Sequence, residues 1–336
     1  IRWPDPALDQ ELRLQKYKIS AALAFARANK IDSMTMDSKN PRIGIVSTGK
    51  SYLDTLQALS DLGIGQAEAE KIGLRLYKVG MPWPLEPEGI RKFSEGLDEI
   101  LIIEEKRAVI ENQLKEQLYN LSPDVRPLVV GKFDESGEWI LPSAGELTPT
   151  RIARVIAKRV QKLYEHSSIT ERLSFLESKE LSLLKHKTPV QRIPYFCSGC
   201  PHNTSTKVPE GSRALAGIGC HYMVIWMNRD TSTFTHMGAE GVPWIGQSPF
   251  TDTDHVFTNL GDGTYFHSGI MAIRASVAAN VNITYKILYN DAVAMTGGQA
   301  MDGPLDPAII SRQVSAEGAK RVIVVSDEPD KYPINA

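Results

Sequence analysis

The sequence predicts an α/β protein built from two parallel sheets, each in its own domain. Three observations carry this. Short apolar runs alternate with helix-patterned segments between residues 43 and 163. A second alternation, 255–260, 266–279 and 283–289, ends its first strand on the turn Gly261-Asp262-Gly263 and its second at Asn290. With 336 residues, 42% hydrophobic and 23% charged, the chain is long and apolar enough for about two cores.

In chain order, residues 8–28 read as a helix whose Leu12, Leu14, Tyr17, Ile19, Ala22, Leu23 and Phe25 supply an apolar stripe. Residues 43–47 read as a short buried strand and 51–62 as a helix. Residues 74–79 form the next strand, and Met81-Pro82-Trp83-Pro84 a loop barred from regular structure by its prolines. Then come a strand at 100–104, a helix at 109–118 and a strand at 128–130. A helix over 148–163 closes the unit, with Thr148 as N-cap before Pro149. Strands alternating with helices imply a parallel sheet covered on both faces. Residues 1–165 are therefore one domain, the charged stretch 166–194 a connector with a solvated face, and 195–336 a second domain. Residues 215–218 read as strand-like, and 321–325 as a last strand.

Asp262 and Asn290, twenty-eight positions apart, point to a divalent cation carrying a diphosphate. Magnesium takes oxygen ligands in near-octahedral geometry, a few from protein and the rest from phosphate and water. Gly261 and Gly263 let the backbone approach the phosphates. Carboxyl ends of neighbouring parallel strands are where open α/β sheets bind cofactors. A lone Gly-Asp-Gly is also ordinary turn chemistry; the order strand, turn, helix, strand, Asn sets this one apart. Met295-Thr296-Gly297-Gly298-Gln299 adds a flexible hydroxyl- and amide-bearing loop just beyond.

The three cysteines cluster: Cys197 and Cys200 form a CxxC turn, and Cys220 follows Gly219. Such thiolates could hold zinc, with His202 or His221 as fourth ligand, or an iron–sulfur cluster. A CxxC redox pair and incidental thiols also remain open.

Together these segments resemble a known family. Phe196-Cys197-Ser198-Gly199-Cys200-Pro201-His202, Gly217-Ile218-Gly219-Cys220, His236-Met237-Gly238-Ala239, Gly261-Asp262-Gly263-Thr264-Tyr265-Phe266-His267-Ser268-Gly269 and Ala294-Met295-Thr296-Gly297-Gly298-Gln299 resemble the thiamine diphosphate domain of 2-oxoacid:ferredoxin oxidoreductases. In particular they resemble the long, fused bacterial indolepyruvate ferredoxin oxidoreductases. Ile1-Arg2-Trp3-Pro4-Asp5-Pro6 and the run from Gly44 to Asp54 are similar to the domain that precedes it in those enzymes, a transketolase C-terminal-like α/β domain.

The resemblance implies roles at the matching positions. Asp262, the Asn290 side chain and the backbone carbonyl of Ala292 would bind Mg²⁺. Gly261, Gly263, Thr296, Gly297, Gly298 and Gln299 would lie along the diphosphate of a thiamine diphosphate-binding fold. Cys197, Cys200 and Cys220 match three of four thiolates of a [4Fe–4S] cluster, and no fourth cysteine is present. His267, at a helix start, is the candidate proton carrier facing the thiazolium or substrate. The implied activity is oxidative decarboxylation of an aryl 2-oxoacid, indolepyruvate, with coenzyme A as acyl acceptor and ferredoxin as electron acceptor, in a homodimer. A non-redox thiamine diphosphate decarboxylase would not need the three placed thiols. A non-catalytic zinc- or cluster-binding module would use the Gly-Asp-Gly only as a turn. The sequence opens on Ile1 rather than Met, and the family's pyrimidine-binding domain is not recognised in it. The chain thus reads as a piece of a longer polypeptide, inactive alone and completed by the missing domains.

Net charge of −2 gives no electrostatic reason for nucleic acid binding. Few cysteines, no signal pattern and no membrane-length apolar run point to a cytoplasmic protein. Gly44-Ile45-Val46-Ser47-Thr48-Gly49-Lys50-Ser51 spells the phosphate-binding pattern GxxxxGK[ST]. That mechanism needs its first glycine after a strand, and Gly44 lies inside one, so a plain strand-to-helix turn is expected. His202, His221 and His236 read as hydrogen-bonded structural residues, and Trp226, Trp244 and Phe250 as core in preference to the walls of an aromatic substrate pocket.

Overall fold

A computed structural model describes residues 3–185 and 192–332. Ile1 and Arg2 of the opening motif, and residues 186–191 of the expected connector, lie outside the described residues. The chain divides into two compact units, Ile1–Thr188 and Pro189–Ala336.

The first unit opens on helix α1, which runs from Ala7–Arg13 through a π-helical turn at Leu14–Lys18 into Ile19–Ala28. Its apolar stripe is not buried: Leu12, Leu14, Tyr17 and Phe25 are exposed, and Ala26 is its one buried residue. Periodicity correctly gave the helix. Burial needs a covering surface, and the described residues of this unit put none there.

The sheet of this unit has the order β1 (Ser33–Met36), β3 (Leu74–Val79), β2 (Ile43–Thr48), β4 (Glu99–Ile103), β5 (Leu128–Val130). All pairs are parallel except β1, an edge strand antiparallel to β3 that sequence patterning missed. Between the strands lie α2 (Gly49–Asp61), α3 (Gln66–Ile72), α4 (Pro87–Ser94) and α5 (Ile110–Leu118), and after β5 come α6 (Pro149–Val160) and α7 (Ser167–Lys185).

Strand alternation divides the apolar residues between two cores. Ile43, Ile45, Leu101 and Ile103 pack with Ala58 and Leu59 of α2 and with Ile152, Ala153 and Ile156 of α6. Val46, Ile100 and Ile102 pack with Ile90 and Phe93 of α4 and with Ile110 and Leu114 of α5. Both faces being covered explains why β2 and β4 read as continuous apolar runs. Thr148 caps α6 by accepting the Arg151 N–H, with Pro149 at the first helical position. Ile169 of α7 is buried in the first of these cores.

Gly44 lies inside β2, and a Cβ there would come within 2.6 Å of both Leu97 and Phe93. Lys50 is held by Asp54 at 2.5 Å, Glu146 at 2.9 Å and the Leu147 carbonyl at 3.0 Å. The phosphate-loop pattern is therefore a strand-to-helix turn, as expected.

In the second unit α8 (His202–Ser205) is followed by an all-parallel sheet ordered β7 (Thr231–Ser232), β6 (Arg213–Leu215), β8 (Val256–Gly261), β9 (Ile283–Leu288). Around it lie α9 (Val242–Gln247) and α10, which begins at Asp262–Thr264, passes a π-helical turn at Tyr265–Gly269 and continues as Ile270–Ala278, and then α11 (Pro307–Ala316). Leu260 packs with Tyr265, Ile273, Ile310 and Val314. Trp244 is buried with Leu215 and Val256 and donates from Nε1 to the Asn282 carbonyl at 3.1 Å.

Three expectations for this unit fail. Trp226 and Phe250 are exposed rather than core. The strand read at 215–218 is Arg213–Leu215. Residues 321–325 form no strand, and Val322, Ile323, Val324 and Val325 are exposed. A β-branched run supplies propensity, but a strand exists only with a hydrogen-bonded neighbour.

Candidate cofactor site at the carboxyl edge of the second sheet

Three parallel strands deliver the site. In register, Gly261 pairs with Leu288 and Leu215 with Thr258, so the residues after β6, β8 and β9 emerge at one sheet edge. Asp262, 3% exposed, opens α10 there. Its Oδ2 accepts the N–H groups of Asn290 and Asp291, each at 2.8 Å, and its Oδ1 accepts the Gly263 N–H at 2.8 Å. The Asn290 side-chain oxygen accepts the Ala292 N–H at 3.2 Å. The structure thus brings Asp262, Asn290 and Ala292 together. The 294–299 loop folds on itself: Thr296 Oγ1 donates to Gln299 Oε1 at 2.7 Å, and Gln299 Nε2 donates to the Thr296 carbonyl at 2.8 Å. Thr296, Gly297, Gly298 and Gln299 are exposed. Val293 lies where a Cβ on Gly263 would meet it at 3.3 Å.

These donors suit a hard cation. Each carboxylate oxygen has two lone-pair directions, so Asp262 Oδ1 keeps one beyond its backbone partner. Among the described residues no three of His, Cys, Asp and Glu converge on a metal position. A magnesium set here would combine one carboxylate, one amide oxygen and one carbonyl, which is the mixed oxygen environment that ion accepts. Polar atoms without partners surround the edge: Thr264 Oγ1, both side-chain atoms of Asn259, and His221 Nε2, all buried. Such groups cost about 1–3 kcal/mol each when left unpaired in a closed fold. They fit a site that receives a polar group.

His221, the residue after Cys220, lies on the Gly261 side of β8. A Cβ on Gly261 would meet the His221 ring at 3.3 Å. His221 and His202 stand 5.9 Å apart, ring to ring, and Phe196 lies 5.5 Å from His202. Burial pushes the His221 imidazole down to about 4, with His202 adding to the effect. His202 is lowered by burial and partly restored by Asp262. The Cys200 N–H donates to the Cys197 carbonyl at 3.1 Å, closing the CxxC turn. Burial raises the Cys220 thiol, and Cys200 and Cys197 raise it further. Among the described residues the three thiols do not form a group that could hold a metal, so the expected cluster ligands are not brought together. All three are free thiols, Cys197 exposed and the others half-buried. A cubane needs four ligands. Three cysteines in 336 residues do not complete one.

His267 lies exposed in the π-helical turn of α10, with Nδ1 2.6 Å from Ser268 Oγ. Sequence reasoning did not single out Glu240 or Thr264. Two glycines in Gly238-Ala239-Glu240-Gly241, both at positive φ, were the signal available for Glu240.

An Asp on the turn after one parallel strand, bonded to the loop after the next, is the arrangement expected of a thiamine diphosphate-binding domain. Residues 217–326 match the family model described as thiamine pyrophosphate enzyme, C-terminal TPP binding domain. Residues 32–187 match the indolepyruvate ferredoxin oxidoreductase middle domain. With both domains matched in this order, the chain is similar along most of its length to the indolepyruvate ferredoxin oxidoreductases. Among its relatives, indolepyruvate oxidoreductase subunit IorA of Thermococcus kodakarensis is 26% identical over 89% of this chain and 46% of its own length. The Pyrococcus horikoshii subunit is 25% identical over 88% and 46%. That of Methanothermobacter marburgensis is 24% identical over 90% and 46%. The chain therefore spans about half the length of these relatives. A solved 2-oxoglutarate:ferredoxin oxidoreductase from Magnetococcus marinus aligns at 16% identity over 46% of this chain and 24% of its own, with a TM-score of 0.28, too low to bear on the assignment.

Proposed function

We propose that this chain forms the thiamine diphosphate-binding part of an enzyme that oxidatively decarboxylates an aryl 2-oxoacid, indolepyruvate, with coenzyme A, and passes the electrons to ferredoxin. The observation that carries the reading is the Asp262 carboxylate, buried and bonded to the peptide N–H groups of Asn290 and Asp291 at the edge of a parallel sheet. The names of the relatives support the substrate.

In this reading Asp262, Asn290 Oδ1 and the Ala292 carbonyl hold Mg²⁺. Gly261, Gly263 and residues 296–299 lie along the diphosphate, and the bound cofactor supplies the electron sink that allows CO₂ to leave. His267, in the exposed π-helical turn of α10, would carry a proton to or from the substrate. Cys197, Cys200 and Cys220 are three ligands of a [4Fe–4S] cluster whose fourth comes from outside these residues.

Asp262→Ala tests the cofactor site. The variant of the intact polypeptide should keep its circular dichroism spectrum and lose Mg²⁺-dependent thiamine diphosphate binding by at least about 100-fold, the scale of roughly 2.7 kcal/mol. Calorimetry giving wild-type affinity would reject Asp262 as the metal ligand.

A further inference from the structure

The exposed Trp226 does not stand alone. Its ring is T-shaped to Tyr222, with centroids 5.4 Å apart, and Tyr222 is T-shaped to Phe234 at 5.1 Å. Tyr222 is half-buried, while Trp226 is 43% and Phe234 60% exposed. Exposed apolar residues scattered singly are ordinary surface, but three rings packed in a row, two of them open to solvent, form a patch. Edge-to-face rings at these distances attract one another, so the row holds together without a covering element.

The row stands at the same sheet edge as Asp262. Tyr222 and Trp226 belong to the 3₁₀-helix Cys220–Trp226, which follows the carboxyl end of β6. In such a helix side chains three apart share a row. His221 and Val224 form its buried row, and His221 lies against Gly261 at the head of the Asp262 turn. Cys220, Met223 and Trp226 fall on another row, which is not buried. Phe234 comes just after the carboxyl end of β7. Its loop is then seated on α10: a Cβ on Gly238, at φ +94°, would come 2.1 Å from Ser268 Oγ. Glu240 pins that loop. It is 0% exposed and, among the described residues, in no ion pair; its Oε2 accepts the Gly238 N–H at 2.7 Å, and the Tyr285 hydroxyl donates to its backbone carbonyl at 2.9 Å. β6 lies between β7 and β8, so the segments that carry the rings leave the sheet one and two strands from the Asp262 turn, at about 4.8 Å per strand.

We propose that Tyr222, Trp226 and Phe234 form the subsite that takes the aryl group of the 2-oxoacid, and that Trp226 and Phe234 set the preference for aryl over small side chains. This rests on the thiamine enzyme reading above. An indole or phenyl ring has a negative face and a positive edge, and packs on other rings offset or edge-to-face. Added to the row, it covers the open sides of Trp226 and Phe234 and removes apolar surface from water. A 2-oxoacid with a methyl side chain has no ring to place there and gains nothing from the row. The three side chains touch no reacting atom in this reading. They determine specificity.

Two measurements on the intact polypeptide test the subsite. Calorimetry with indole-3-lactate, which carries the ring and the carboxylate but no ketone to react, reads binding without turnover. Phe234→Ala and Trp226→Ala should each weaken it roughly tenfold. In anaerobic steady-state assays the same variants should lose kcat/KM for indolepyruvate by a similar factor and keep that for pyruvate. Phe234→Leu, which keeps apolar bulk without the ring, should lose less, and serves if the alanine variant fails to fold. Aryl binding and turnover unchanged in folded variants overturn the proposal, as does an equal loss on both acids, which would make the rings structural. Dissociation of an oligomer on sedimentation, with the aryl preference kept, would make the row a contact between copies and also overturn it. Wild-type protein that turns over 2-oxoacids with thiamine diphosphate, while its variants behave alike, rejects the subsite alone. Wild-type protein that turns over neither acid rejects the enzyme reading, and the subsite with it.

Discussion

Single residues carry the chemistry of this chain, and they differ in how far their neighbours reveal them. Asp262 was legible because two glycines and a following Asn mark it. Glu240 was not, because nothing in a pattern of residues says that a carboxyl will be buried without a cation. Lys286 on β9 is similar. It donates to the carbonyls of Ser205 at 2.8 Å and Lys207 at 3.0 Å, yet burial pushes its amine down to about 8. The charged form is disfavoured in the fold. Its depressed pKa contributes stability above the unfolded value of 10.5, which is lost as pH falls through about 8. Measured against Lys286→Met, the wild-type unfolding midpoint should therefore drop as pH goes from 10.5 to 8 and hold level below. A difference between the two proteins that does not vary with pH would show that this amine is not desolvated.

At the scale of elements, apolar period and capping residues placed most helices and strands, while partners decided the rest. α6 was readable from Thr148 and Pro149 because a cap is local chemistry. β1 was missed because Ser33–Met36 is short and half-buried, and it exists through its antiparallel pairing with β3. Residues 321–325 have the composition of a strand without a partner. Gly44 shows how a pattern misleads: the phosphate-loop spelling falls on a strand whose glycine is required by Phe93 and Leu97. Gly44→Ala should cost about 1–3 kcal/mol of stability through overpacking, read as a lower urea midpoint, and calorimetry should show no ATP binding before or after. An unchanged midpoint would mean the two side chains yield freely; ATP binding lost on substitution would restore the nucleotide reading.

At the scale of the whole molecule, two α/β units stand in the order of the family's middle and thiamine-binding domains, over about half the length of its relatives. No described helix is long and apolar enough to cross a membrane. The proposed reaction is tested on the intact polypeptide. Purified anaerobically, it should contain four iron and four sulfide per cluster, turn over indolepyruvate faster than pyruvate, and reduce ferredoxin. Cys220→Ser should lower the iron content and stop ferredoxin reduction while thiamine diphosphate affinity stays the same, since the two sets of ligands are separate. Stoichiometric zinc, or iron unchanged by the substitution, would rule out the cluster; equal turnover of pyruvate would remove the aryl preference.

By itself the sequence determined the α/β class, the alternation that produces parallel sheets, and the carboxylate turn. Each of these is written in spacing or in local chain chemistry, which do not depend on distant contacts. The tertiary structure alone decided which apolar faces are covered, so that Trp244 is core while Trp226, Phe250 and the stripe of α1 are not. It alone brought the loop carrying Glu240 onto α10, and His221 beneath Gly261. Burial and the pairing of polar groups depend on residues far apart in the chain, and only the folded arrangement supplies them.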